Sequence, residues 1–223
     1  MVSDPRVYLN GRVVPRGEAT VSVSDAGLLH GASAFTTMRA HRGVVFRLGR
    51  HLRRLAGTLD MLGLRADADE PALRQAVAET LAANELAEAR VRVTLTPGSV
   101  HAAAPTTLVT AEALPDYPPA WYERGISAVV AGLPQPPPGP TGGHKTGCYL
   151  PRVLARRQAA ERGADEALWF TPDHRLAEAC FCNVFLVGGD GTVRTPPLDT
   201  PVLDGIVREA VLELCTELDI PAD

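Results

Sequence analysis

The chain has 223 residues, of which 45% are hydrophobic and 22% charged, and its formal net charge is −4 at pH 7. This length suffices for one large domain or two small ones, while the acidic balance argues against nucleic-acid binding and no apolar stretch is long enough to cross a bilayer. Four cysteines without a Cys-x-x-Cys pair and six scattered histidines predict reduced thiols in the cytoplasm and no metal site.

The first part of the chain has the pattern of a compact α+β domain, expected over residues 1–118. Asn10-Gly11 between two β-prone runs predicts a hairpin over 7–14. Leucines at helical spacing followed by Gly63 predict a helix over 48–62, and an alanine-rich helix is expected over 70–86. The other predicted elements of this part are strands over 34–39, 44–46, 91–96 and 107–110.

Prolines at positions 115, 118 and 119 mark the boundary to a second domain, expected over 119–223. Proline density predicts an extended interdomain loop over 134–143, which could be a spacer or a substrate-covering loop. The remaining elements of this domain are predicted as strands over 125–131 and 166–170, an apolar run over 176–187, and helices over 151–162 and 205–218.

Lys145 is the only lysine of the chain, against twenty-one arginines. An arginine stays protonated, whereas a desolvated lysine amine can lose its proton and attack a carbonyl. The neighbouring glycines 142, 143 and 147 would let the backbone approach a bulky bound group. The lysine therefore suggests a Schiff-base residue, although a high-arginine genome could also leave one surface lysine by chance.

Three further positions carry chemistry that the pattern alone leaves open. Glu178 lies in an apolar run, where a buried carboxylate needs a cationic or donor partner, but it could also be a solvent-facing strand residue. Arg54 could bind phosphate or lie on a solvated helix face. Gly205 precedes a helix whose first amides could bind an anion, which is a weak signal by itself.

Taken in their order along the chain, these segments resemble those of the fold-type IV pyridoxal-phosphate (PLP) enzymes, the class IV aminotransferase group. That group contains branched-chain aminotransferase, D-amino-acid aminotransferase and aminodeoxychorismate lyase. The likeness covers essentially the whole chain and implies a two-domain α+β fold, with a small α/β sandwich and a larger pseudo-barrel domain. The motifs that carry it lie at residues 8–11, 25–31, 35–39, 51–55, 145–150, 163–168, 178–185 and 203–208.

The resemblance implies a role for each candidate residue. Lys145 is expected to bind PLP as a Schiff base and then to act as general base and acid. Glu178 is expected to pair with the pyridinium nitrogen, and Tyr149 to contact the 3′-oxygen of the cofactor. The implied cofactor-binding residues are Lys145, Arg54, Tyr149, Glu178, Asn183, Gly205, Ile206 and Val207. The implied substrate-side residues are His30, Phe35, Arg39 and Arg92.

The function that we expect is transfer of an amino group between an amino acid, of the branched-chain or glutamate type, and a 2-oxo acid. Thr96-Pro97-Gly98 lacks the arginine typical of D-amino-acid aminotransferases. Phe35-Thr36-Thr37 and Cys180 are similar to aminodeoxychorismate lyases, so a lyase that releases pyruvate and 4-aminobenzoate is the alternative. His30 replaces a frequent tyrosine.

The likeness to the family also implies a homodimer. Relatives usually continue for some fifty or sixty residues past Leu218, so the chain is expected to lack their C-terminal extension. A catalytically silent paralogue or fragment is therefore a third possibility.

Overall fold

The computed structural model describes residues 4–99, 101, 104–132, 139 and 141–223. The chain divides into two compact units, of which the first comprises Met1–Asp116 with Lys145–Cys148 and the second Tyr117–His144 with Tyr149–Asp223. The sequence assigns Lys145 to the second domain, whereas backbone hydrogen bonds to residues 33–35 group it with the first unit. Most of the proline-rich loop expected over 134–143 lies outside the described residues.

A six-stranded antiparallel sheet forms the first unit, in the order β2-β1-β6-β5-β3-β4. The strands are β1 (Arg6–Leu9), β2 (Arg12–Pro15), β3 (Ala34–His41), β4 (Val44–Val45), β5 (Ala89–Thr96) and β6 (Thr106–Ala113). Asn10 and Gly11 have φ values of 47° and 93°, as a two-residue hairpin turn requires. The hairpin expected over 7–14 and the strand pair that follows it are therefore both present.

Two longer helices, α2 (Leu48–Leu62) and α3 (Glu70–Ala83), pack on this sheet. The predicted leucine stripe of α2 is buried, and Gly63, with a φ of 62°, ends the helix. Helix α3 ends three residues before the predicted position, because Glu85 adopts a positive φ of 53°. The valines and alanines on the inner face of β3, β5 and β6 complete the core of this unit.

The short helix α1 (Ala26–His30) was not predicted from the sequence, and Asp25 holds it in place. The Asp25 carboxylate is fully buried and accepts hydrogen bonds from Thr96 Oγ1 at 2.8 Å, Thr106 Oγ1 at 2.7 Å and the Gly27 amide at 2.7 Å. Burial alone would raise the pKa of Asp25, but the bonds from Thr106 and Thr96 lower it. Asp25 thus fixes the loop before β3 to β5 and β6.

The second unit contains a three-stranded sheet in the order β7-β8-β9, in which β7 and β8 are parallel and β8 and β9 antiparallel. Its core is built from Trp169 and small side chains, notably Ala155 and Ala159 of the helix that follows Tyr149. The elements of the unit are α4 (Pro119–Arg124), β7 (Ala128–Val130), α5 (Leu150–Glu161), β8 (Glu166–Phe170), β9 (Leu176–Ala179), β10 (Leu186–Val187), β11 (Val193–Arg194) and α6 (Ile206–Glu217).

Among the residues that the structure describes, no helix combines the length and apolar character needed to span a membrane.

Candidate active site

Lys145 is held against the start of β3 by backbone pairing. Thr146 forms an antiparallel bridge with Ala34, the Phe35 amide donates to the Lys145 carbonyl at 2.9 Å, and the Gly147 amide donates to the Ser33 carbonyl at 2.9 Å. A Cβ on Gly147 would lie 2.3 Å from Ser33 Oγ and 3.0 Å from the Gly31 carbonyl oxygen, so glycine allows this close approach. The single lysine is thus part of an ordered segment of the first unit.

The Phe35 ring contacts two cationic side chains. Lys145 Nζ lies 4.9 Å from the centroid of the ring, and Arg92 Cζ lies 3.6 Å from it. Arg92 reaches the ring because it faces Thr37 across the β3–β5 register, on the same side of the sheet as Phe35. Three of the predicted residues, Lys145, Phe35 and Arg92, therefore form one group.

Arg54 belongs to the same unit and acts on a buried histidine of α2. Its Nη2 donates to Thr36 Oγ1 at 3.3 Å, and Thr36 Oγ1 lies 2.8 Å from His51 Nδ1. Burial, together with the positive charges of Arg54 and Lys145, lowers the pKa of His51 to about 4. The imidazole is therefore neutral near pH 7, and the two cations give this region a positive potential that suits an anion.

The other two predicted substrate residues, Arg39 and His30, have exposed side chains. Arg39 is four positions along β3 from Phe35, faces solvent, and its Nη2 lies 3.5 Å from Glu88 Oε2. His30 is exposed at the last position of α1. Their roles remain predictions from the resemblance.

Glu178 of β9 is the centre of a second group, in the second unit. Only 4% of its surface is exposed, so the alternative of a solvent-facing strand residue does not hold. Its Oε1 forms an ion pair with Arg152 Nη2, and its Oε2 accepts the Leu203 amide at 3.1 Å. Asn183 Nδ2 donates to the Leu203 carbonyl at 2.9 Å, so Glu178 and Asn183 together hold the Leu203 peptide.

Arg152 is the cationic partner that the sequence reasoning required for Glu178 but did not identify. It lies in the first turn of α5, seven residues after Lys145, and 26 residues before Glu178. In the sequence, Arg152 is only one arginine on a predicted helix that also carries alanines. That pattern is too common to identify it as the partner of Glu178.

The Leu203 peptide leads directly into the start of α6. Gly205 is the N-cap residue, and no side chain caps the helix there, so the amides of Ile206 and Val207 can serve an anion. A Cβ on Gly205 would lie 1.9 Å from Asn183 Oδ1, so glycine lets the helix start approach Asn183 without displacing its side chain. The geometry suits a phosphate group at the predicted turn.

Tyr149 precedes α5 and stacks on Phe181, with ring centroids 6.0 Å apart and an interplanar angle of 22°. Arg152 Cζ lies 5.6 Å from the centroid of the Tyr149 ring. Tyr149 is therefore a neighbour of the Glu178 group.

Within the described ranges, no three His, Cys, Asp or Glu side chains are grouped so that they could hold a metal ion.

Comparison with known proteins places these two groups in context. The model of the family described as "Amino-transferase class IV" matches residues 33–223. The chain belongs to the class IV aminotransferase family. This membership confirms the resemblance drawn from the sequence motifs.

Two relatives in this family match nearly the whole chain. The chain is 33% identical over 220 residues to a putative branched-chain-amino-acid aminotransferase of Methanocaldococcus jannaschii, covering 95% of this chain and 75% of that protein. It is 27% identical over 226 residues to the aminodeoxychorismate lyase of Bacillus subtilis, with coverages of 96% and 75%. Both functions considered from the sequence thus occur among its relatives.

Solved structures share the fold. The branched-chain amino acid aminotransferase of Escherichia coli superposes with a TM-score of 0.92 at 25% identity, covering 99% of this chain and 77% of that one. A hypothetical aminotransferase from Mycobacterium tuberculosis, described in its PLP-bound form, gives a TM-score of 0.88 at 23% identity, with coverages of 98% and 80%. The predicted two-domain α+β architecture of fold type IV is therefore confirmed.

Proposed function

We propose that this class IV aminotransferase uses PLP to move an amino group between an amino acid, of the branched-chain or glutamate type, and a 2-oxo acid. The observation that carries the proposal is the setting of Lys145. The only amine-bearing side chain of the protein is held by backbone hydrogen bonds at β3, with its Nζ 4.9 Å from the Phe35 ring centroid. An ordered lysine amine of this kind can attack the aldehyde of PLP.

The residues of both groups fit this cofactor. The guanidinium of Arg54 and the amides of Ile206 and Val207, at an uncapped helix start, suit a phosphate. The buried carboxylate of Glu178 suits a protonated ring nitrogen. Each of its oxygens accepts one hydrogen bond and keeps a lone pair for a further donor.

Each residue has a proposed task in the reaction. When bound, PLP supplies an aldehyde that takes up the amino group and a ring that withdraws electrons from the substrate α-carbon. Lys145 Nζ would hold the cofactor until the substrate arrives and would then take the proton from the substrate α-carbon and return it to the carbon of the cofactor's aldehyde group. Glu178 would keep the proton on the ring nitrogen, and Tyr149 would offer its hydroxyl to the 3′-oxygen.

Arg92 is the proposed anchor of the substrate carboxylate. Its guanidinium lies 3.6 Å from the Phe35 centroid, which orders the fork, and an ordered arginine fork binds a carboxylate through two hydrogen bonds. Phe35 presents an apolar ring that suits a branched side chain. Arg39 and His30 are proposed only as outer substrate contacts, because each has an exposed side chain.

The test of the proposal is the visible absorbance of the purified chain after incubation with PLP. We expect a band that shifts on borohydride reduction, a label on the one lysine-containing peptide, and no label in Lys145→Ala. Arg50→Ala is the matched control, because it removes an exposed cation of the same unit and should leave the label unchanged. A chain that gives no band would support a catalytically silent protein instead.

Aminodeoxychorismate lyase activity is the second candidate, favoured by the 27% identity to the Bacillus subtilis enzyme and by Thr36 and Cys180. The two activities are separated by incubating the PLP-loaded protein with aminodeoxychorismate and, separately, with leucine or glutamate and a 2-oxo acid. Release of pyruvate and 4-aminobenzoate would support the lyase, whereas formation of the new amino acid would support the aminotransferase.

We also propose that the protein is a cytoplasmic homodimer, as the family resemblance implies. Sedimentation equilibrium of the purified chain tests the dimer, and a mass equal to one chain would refute it.

A further inference from the structure

Arg152 donates several hydrogen bonds at the end of β9. Its Nη2 pairs with Glu178 Oε1, and its Nη1 donates to the carbonyls of Ala179 and Cys180, both at 3.1 Å. The exposed fractions of the two charged side chains are 19% for Arg152 and 5% for Glu178. Three acceptors therefore fix the guanidinium, and its positive charge stays beside the buried carboxylate.

The carboxylate of Glu178 is consequently not an isolated negative charge. Arg152 pairs with Glu178 Oε1 and balances the negative charge of the carboxylate, and the Leu203 amide donates a hydrogen bond to Oε2. A cation that approached the remaining lone pairs would meet a nearly neutral ion pair, and it would be repelled by the guanidinium at short range. Because arginine does not lose its proton in proteins, this repulsion persists at every working pH.

We propose that Arg152 is a positioning residue that sets how firmly Glu178 keeps the cofactor ring nitrogen protonated. This inference rests on the proposed function. The positive charge of the guanidinium would weaken the hold of the carboxylate on the ring proton, so that the ring nitrogen would lose its proton at a lower pH than Glu178 alone would allow. Lysine in place of Arg152 keeps the charge, whereas glutamine keeps a donor and removes the charge.

The experiment measures the protonation of the ring nitrogen directly. PLP labelled with nitrogen-15 at the ring nitrogen is bound to the full chain, and its NMR chemical shift is followed against pH. We expect Arg152→Gln to raise the midpoint of this titration by about one pH unit, a tenfold gain in proton affinity. Arg152→Lys should keep the midpoint of the wild type.

Arg156→Gln is the matched control, because Arg156 lies one turn further along α5 and its Nε is 4.0 Å from Glu166 Oε2. Its midpoint should equal that of the wild type. If Arg152→Gln does not fold, the test rests on Arg152→Lys. A shift of its midpoint by about one pH unit would mean that the geometry of the fork, and not its charge, is responsible, and that result would overturn the proposal.

The outcomes separate this inference from the proposed function. A wild-type chain that binds no labelled PLP would refute both. A wild type that binds PLP, with a midpoint that Arg152→Gln leaves unchanged or lowers, would refute the role of Arg152 and leave the proposed function standing.

Discussion

The buried imidazole of His51 should make the folded protein sensitive to mild acid. Its pKa falls from 6.5 to about 4 on folding, because of burial and of the charges of Arg54 and Lys145. Below about pH 6.5 the unfolded chain takes up a proton on His51, while the folded protein does not until about pH 4. The contribution of His51 to the free energy of unfolding is therefore complete above about pH 6.5 and is lost as the pH falls from about 6.5 to about 4.

Linkage converts this pKa difference into a free energy of unfolding. The loss attributable to His51, relative to pH 7.5, is about 2 kcal/mol at pH 5 and about 3 kcal/mol at pH 4. The value at pH 5 is the more useful one, because the carboxylates titrate mainly below that pH. His51→Asn should abolish this component, since an asparagine oxygen can replace Nδ1 as the partner of Thr36 but does not titrate.

The assay is urea unfolding of the cofactor-free protein followed by far-UV circular dichroism at pH 7.5 and pH 5. His101→Asn is the control, because it removes an exposed imidazole from the same unit. Wild type and control should lose about 2 kcal/mol more than His51→Asn between the two pH values. The reasoning is refuted if the losses of wild type and His51→Asn agree within about 0.5 kcal/mol.

Two further predictions concern close contacts. Gly205→Ala places a Cβ 1.9 Å from Asn183 Oδ1, an overpacking that costs roughly 1–3 kcal/mol. The affinity of this variant for PLP, measured by fluorescence titration, should drop about tenfold or more. Gly189→Ala is the control, because nothing lies near a Cβ at position 189, and it should bind PLP as the wild type does. Equal affinities of the two variants would contradict the prediction. Asp25→Ala removes a buried acceptor of three hydrogen bonds and should lower the free energy of unfolding by roughly 3–5 kcal/mol. Asp116→Ala, an exposed control, should change it little, and a similar effect of both substitutions would show that the buried bonds are not responsible.

Elements with a complete local signal could be predicted from the sequence with their bounds. Helix α2 begins and ends at Leu48 and Leu62 as predicted, because the leucine period and Gly63 both act within one or two turns. Strand β8 also has its predicted bounds, Glu166–Phe170. The end of α3 was predicted three residues too late. The helix ends early because Glu85 adopts a positive φ and because Asn84 Nδ2 donates to the Arg6 carbonyl, a long-range contact.

The resemblance predicts a role for each residue of the candidate site, but it does not identify the contacts that hold these residues in place. That a buried Glu178 needs a cation follows from its apolar neighbours, whereas the identity of Arg152 depends on how α5 packs beside β9. Likewise, the composition identifies Lys145 as the only lysine, but it does not predict the bridge between Thr146 and Ala34, which are more than a hundred residues apart. Local patterns carry no information on such pairings, and the family motifs list residues without their neighbours.

The chain path around Lys145 has a practical consequence for anyone who dissects this protein. Residues 145–148 belong to the first unit while the stretches on both sides belong to the second. A fragment cut after Asp116 would keep the whole six-stranded sheet yet lose the lysine, and it would expose the edge amide of Phe35 to other strands. Splitting the protein at its apparent border therefore yields two pieces of which neither holds the lysine in its native pairing.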